Sequence, residues 1–316
     1  MKKIPTHEIF KIIDVTLLSY DNKLSISLLC DIAGVSRAGY YHWKNNEEMR
    51  YYKEIKDQED FNLILEAYHY RGFAKGVKGI YMRLLKMDKP MNQKKIRRLM
   101  RKYGLICPIR KANPHRRMAK AIKTNNYASN LLNRQFEAFG PRTVLLTDIS
   151  YIPYNGAFAY LSVIIDAFTK EVLSYQLSNS LELDFVLLTV EELMTNHKNE
   201  LKTETLIHSD QGCHYTSHKF IKIIKDSDLR QSMSRRGNCW DNAPQESFFG
   251  HMKDEIKDKI FKCTEFVQVE EIIDDWMDYY NNDRCVWKLN KLPPKEFYES
   301  LTIKNVNPLG DCTNKD

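Results

Sequence analysis

Three carboxylates stand where an apolar framework would ordinarily exclude them. Asp148 interrupts the apolar run at 143–152, and Asp210 closes a shorter one at 205–210, just before Gln211-Gly212. Glu246 follows Asn242-Ala243-Pro244 at the start of a helical stretch. Carboxylates gathered from two strands and a helix start repel one another and need a cation to stay ionised at neutral pH. Oxygen ligands without His or Cys suit Mg²⁺ or Mn²⁺. Two such ions, roughly 3.5–4 Å apart, activate a water or hydroxyl and stabilise the leaving oxygen in phosphodiester displacement. Taken singly, each acid reads as a helix cap or a surface charge. The spacing argues for a set: 35 residues separate Asp210 from Glu246, and 61 separate Asp148 from Asp210.

The elements that must carry these acids form a mixed α/β order from about residue 135. Runs at 143–152, 157–168 and 171–177 predict strands, with Thr169-Lys170 turning a hairpin. A helix over 182–195, a strand over 205–210, a helix over 217–225, a strand over 231–234 and a helix over 245–256 follow. Pro244 sits near the first turn of the last helix, where its missing N–H does no harm.

The front of the chain reads as helical. Ala33 is small enough for two helices to cross, Gly34 supplies a turn, and Ser36 caps a second helix opening at Arg37. In a helix-turn-helix that second helix reads the major groove, although a plain helical hairpin has the same punctuation. Between Pro90 and Gly104, Ile96, Leu99 and Met100 form one buried stripe. Lys94, Lys95, Arg97, Arg98, Arg101 and Lys102 cover the remainder, as in a helix laid against phosphates. Residues 108–130 read as a polar, basic linker.

Charge divides the 316-residue chain in the same way. Its net charge of +7 splits into 28 bases against 12 acids over residues 1–135, and 20 against 29 thereafter. Residues 89–135 hold 14 bases and no acid, which predicts a polyanion-binding front; a solvated basic face is the alternative. Glu8, Lys11 and Asp14 break any signal-peptide core, and there is no long uncharged apolar run, so a cytoplasmic location is expected. Seven scattered cysteines suggest no disulfide framework.

The segments Thr147-Asp148-Ile149-Ser150-Tyr151, His208-Ser209-Asp210-Gln211-Gly212 and 241–249 resemble the catalytic core of IS3-family insertion-sequence transposases. So do Tyr280-Asn281, Arg284, Leu289, Pro293 and Phe297 farther on, and the segment 79–105 resembles that family's basic helix-turn-helix. The likeness covers roughly 28–300. It implies an RNase H-like, integrase-type core with a DDE triad of Asp148, Asp210 and Glu246, and Lys253 as the basic residue seven positions after the Glu. It also implies that a water frees a 3′-OH at the element's end and that this hydroxyl then attacks DNA. Expected partners are double-stranded DNA, meaning terminal inverted repeats and target, further copies of the chain in synapsis, and an upstream-frame product. No heptad run is visible, so the chain reads as the downstream product alone.

The expected architecture is an α/β, RNase H-like mixed-sheet catalytic domain preceded by all-α helix-turn-helix modules. The expected boundaries are 1–60, 61–125 (with linker), 135–302 and a tail at 303–316. A fragment starting near Gln135 is expected to keep its fold. Asp166 reads as a turn former. The spacing of His208, Cys213, His214 and His218 matches no standard zinc site. Arg235, Arg236 and Trp240 are candidates for DNA contact. A non-catalytic DNA-binding regulator and a structure-specific nuclease remain as other functions.

Overall fold

A computed structural model describes residues 4–107, 139–203, 205–234 and 243–306. The basic linker, Arg235, Arg236, Trp240 and most of the tail lie outside these residues.

Three helices open the chain: α1 (Thr6–Leu17), α2 (Ile26–Ile32) and α3 (Arg37–Asn45). They close on Phe10, Ile13, Cys30 and Tyr40. The Ser36 hydroxyl accepts from the Gly39 N–H and caps α3, and Gly34 takes φ +65° to make the turn before it. Helix α4 (Glu47–His69) then runs for 23 residues straight through the boundary expected after residue 60. The two front segments therefore share a helix. Its C-terminal half packs with α5 (Val77–Lys86) and α6 (Gln93–Lys102) around Phe61, Ile64, Ile80, Leu84, Ile96 and Leu99.

The rest is built on one five-stranded sheet in the order β3-β2-β1-β4-β5. The strands are β1 (Val144–Tyr154), β2 (Ala157–Asp166), β3 (Val172–Ser178), β4 (Leu206–Ser209) and β5 (Arg230–Met233). The first three form an antiparallel meander, and β4 and β5 run parallel to β1. Parallel neighbours need helical crossovers, supplied by α7 (Asp184–His197) and α8 (His218–Asp226). These cover one face through Leu145, Ile164, Val190, Ile207 and Phe220. The other face takes α9 (Ala243–Ile260) and α10 (Phe266–Asn282) through Ile152, Leu161, Val163, Phe248, Met252 and Trp276. Helix α11 (Pro294–Val306) runs past the expected end of the core at 302.

Asp166 does shape the β2–β3 turn, accepting from the N–H groups of Phe168 and Thr169. It is also fully buried against Arg142, whose guanidinium reaches Glu171 and Glu200 as well. The late family-like residues brace this corner. The Asn281 amide accepts from Val172 N and donates to Val172 O, and the Tyr280 hydroxyl donates to Lys170 O.

Candidate active site

Strand register brings the first two acids together. Leu146 of β1 pairs with His208 of β4, where the ladder between them ends. Two residues on, Asp148 lies within β1 just past its pairing with β4, and Asp210 follows the last residue of β4; adjacent strands lie about 4.8 Å apart. Period-two alternation puts Asp148 on the same face as Ile152, the face covered by α9. Along α9 the buried stripe runs through Gln245, Phe248, Phe249, Met252 and Ile256. Glu246 and Lys253, seven residues apart, stand at one margin of that stripe.

Electrostatics registers the convergence. The Asp148 carboxyl is pushed up to about 7, first by burial, then by the Asp210 carboxylate and more weakly by Glu246. Its own neighbour's N–H, from Ile149 at 2.8 Å, and the Lys253 ammonium oppose the rise. Partial burial depresses Lys253, and the pull of Asp148 acts against that. Lys253 makes no ion pair with Asp254 or Asp258 among the described residues, so the rival surface-pair reading of this lysine finds no support.

The Asp-Gln-Gly turn is explained by close approach. Asp210 Oδ1 accepts from the Gly212 N–H at 2.8 Å, and a Cβ on Gly212 would come within 2.9 Å of that oxygen. Gln211 donates to Ser234 O, tying the turn to the end of β5. Behind the acids, Tyr215 is wholly buried with its hydroxyl 3.5 Å from Thr147 Oγ1. Burial and the nearby Asp148 and Asp210 charges raise its phenol well above the usual range. No sequence signal marks this tyrosine.

The histidines have other work. His208 and Ser232 share a hydrogen bond of 3.0 Å across β4 and β5, and His214 donates to Leu181 O. Among the described residues, no three His, Cys, Asp or Glu side chains stand close enough to enclose an ion. The three acids thus share one electrostatic neighbourhood without being drawn up to ligand distance. As a donor set they fit a hard divalent cation, because like charge already opposes their joint ionisation.

The basic helix differs from expectation. Arg98 forms a bidentate pair with Asp57 of α4 at 2.6 and 2.7 Å. Lys102 reaches Glu54 and Asp57, and Lys95 pairs with Asp60. Of the six bases of α6, Lys94, Arg97 and Arg101 are exposed without an ion pair among the described residues. Ser36 is spent on capping α3, and Arg37 is exposed in its first turn.

A 3-2-1-4-5 sheet with acids within β1, at the end of β4 and at the start of α9 defines an RNase H-like catalytic core of the integrase type. Integrase core domain models match residues 138–239 and 227–294, and an HTH-like domain model matches 54–113. InsK of Escherichia coli (strain K12), named as a transposase for insertion sequence element IS150, is 33% identical over 272 residues. That match covers 84% of this chain and 90% of the relative. InsF of the same organism, the transposase for insertion sequence IS3A, is 26% identical over 90% of this chain and 97% of its own length. Among solved structures, the HTLV-2 integrase catalytic core domain in complex with magnesium is similar at 14% identity and a TM-score of 0.38, over 46% of this chain and 90% of that one. The chain belongs to the IS3 family of insertion-sequence transposases. Its activity is DNA transposition by a polynucleotidyl transferase of the DDE type.

Proposed function

We propose that Asp148, Asp210 and Glu246 are the catalytic triad and together hold Mg²⁺ or Mn²⁺, two ions in the working complex. The observation that carries this is geometric: the β1–β4 register sets Asp148 beside Asp210, and Glu246 opens α9 over the same face, near enough for their charges to act on the Asp148 carboxyl. Bound divalent ions would supply charge neutralisation and a nucleophile at neutral pH. The protein's own contribution is positional. The Gly212 N–H orients the Asp210 carboxylate, the Ile149 N–H orients Asp148, and partial burial keeps Asp148 in a setting where charge interactions are strong. Lys253 holds the phosphate next to the scissile bond. The reaction is hydrolytic nicking at the element's end, followed by attack of the freed 3′-OH on a second phosphodiester.

Residues Lys94, Arg97 and Arg101 supply backbone contacts to the terminal repeats, and α3, opening at Arg37, reads bases. The chain works as a homo-oligomer on paired ends, with an upstream-frame product as a further partner. The deciding experiment is strand joining with a pre-cut element end. Asp210→Ala should abolish it while DNA binding and melting temperature hold; normal joining by that protein would remove Asp210 from the triad.

A further inference from the structure

A cavity of about 450 Å³ lies at the joint between the helical module and the catalytic core, bounded by the start of α5 and the segment after α10. His251 and Glu255 of α9 also line it, roughly half a turn round that helix from Glu246, so it lies on the flank away from the acids.

Its acids are already engaged. Glu255 accepts from Arg284 at 2.8 Å and from the Trp276 indole at 3.0 Å, and Asp283 accepts from the Tyr70 hydroxyl at 2.8 Å. Apart from Arg284, its cations are not paired with acids among the described residues. Arg83 lies over the Tyr70 ring at 3.4 Å, its Nε buried without a partner. Lys78 and Lys288 are exposed and make no ion pair among the described residues. Lys75 is buried, held by the carbonyls of Tyr70 and Phe73. No side chain caps the first turn of α5, which adds N–H groups to this positive wall. Trp287 stands at the rim beside Lys78, 43% exposed. A cavity of this size admits one ligand-sized unit and no duplex.

We propose that this cavity seats a nucleotide of an unpaired DNA strand, its phosphate among Lys78, Arg83 and Lys288 and its base against Trp287. Cations tracking the backbone beside an aromatic platform are how proteins hold single strands without reading sequence. The inference rests on the DNA-strand-transfer reading, in which a nicked strand is carried to a second phosphodiester. Seated there, the strand would be gripped by the helical module and the core together.

The test is fluorescence anisotropy with the full chain in EDTA, using a short mixed-sequence single strand and, separately, a mixed-sequence duplex. Lys78→Glu with Lys288→Glu should weaken single-strand binding about tenfold or more and duplex binding less than about threefold. Trp287→Ala should weaken single-strand binding about fivefold or more, and Trp287→Phe should restore most of it. If a charge-reversed protein melts early, Lys78→Gln with Lys288→Gln takes its place. Equal losses on both probes, or no loss on the single strand, would overturn the proposal. Because metal is absent, the result is independent of the triad. Asp210→Ala should bind the single strand as the unaltered chain does, and its failure in joining is judged separately.

Discussion

Asp148 is held protonated to about pH 7 in the folded chain, against 3.8 for an ordinary aspartate. A carboxyl raised on folding contributes stability that is full below the ordinary value and disappears as pH rises through the raised one. The metal-free protein should therefore lose stability between about pH 4 and 7 through this residue. Asp148→Asn keeps the site neutral, so at pH 8 it should melt roughly 2–4 °C above the unaltered chain, the shift that about 1 kcal/mol gives at this size. The gap should shrink as pH falls, close near pH 4 and narrow with Mg²⁺ at pH 8, while joining is abolished. Thermal melts across pH settle it, and a pH-independent gap would detach the effect from Asp148. Lys253 predicts the opposite pairing of effects. It is surface-accessible, only its ammonium partly desolvated, and makes no ion pair among the described residues, so Lys253→Ala should cut joining about tenfold or more with melting unchanged within about 1 °C. A large fall in melting temperature with joining intact would make it a structural residue.

Helix α6 shows where a sequence stops being legible. Its buried stripe of Ile96, Leu99 and Met100 could be read from spacing alone, and all three are buried. Its basic face could not be apportioned, because the acids that claim Lys95, Arg98 and Lys102 lie on α4, about forty residues earlier. The three proposed acids could be picked out for the converse reason: Asp148 and Asp210 interrupt or close apolar strands, and the 35-residue spacing joins Glu246 to them. Tyr215 behind them breaks no such pattern, and neither does Gly212, whose lack of a Cβ matters only once the Asp210 carboxylate is in place. The consequence for α6 is a split between two kinds of variant. Arg97→Glu with Arg101→Glu should weaken binding to all duplexes alike and reduce the salt slope by about 0.9 for each phosphate no longer neutralised. Arg98→Ala should instead lower the melting temperature, since it leaves buried Asp57 without its bidentate partner. Binding isotherms over a salt series with parallel melts separate the two; a salt-slope change from Arg98→Ala at constant stability would return it to the DNA-facing set.

At the scale of the molecule, the helical front and the catalytic core are not independent. Phe73, in the turn between α4 and α5, is fully buried in the cluster formed by the sheet, α9 and α10, stacked on Tyr279 at 4.5 Å. Tyr70 donates to Asp283, Arg71 pairs with Asp275 and Asp278, and Lys86 pairs with Glu296 across the same joint. The sequence divides by charge at residue 135, and that division concealed a core residue lent from one side to the other. The expectation that a fragment starting near Gln135 keeps its fold is at odds with this packing, since the cut removes Phe73 and uncovers Tyr279. Phe73→Ala in the full chain should cost about 3–5 kcal/mol in urea unfolding, and the isolated fragment should unfold at lower denaturant than the intact chain. A fragment as stable as the whole would show that the joint contributes nothing. A joint plugged by an aromatic ring also makes the protein a ruler. On the proposed assignment of α6 to the terminal repeats and of the three acids to the cut, the stretch of duplex between the two is measured by protein. Displacing the recognised sequence by about five base pairs, half a turn of the double helix, would turn the opposite face of the DNA toward the acids, and the cut would move with the recognised sequence and not stay with the bases at the old junction.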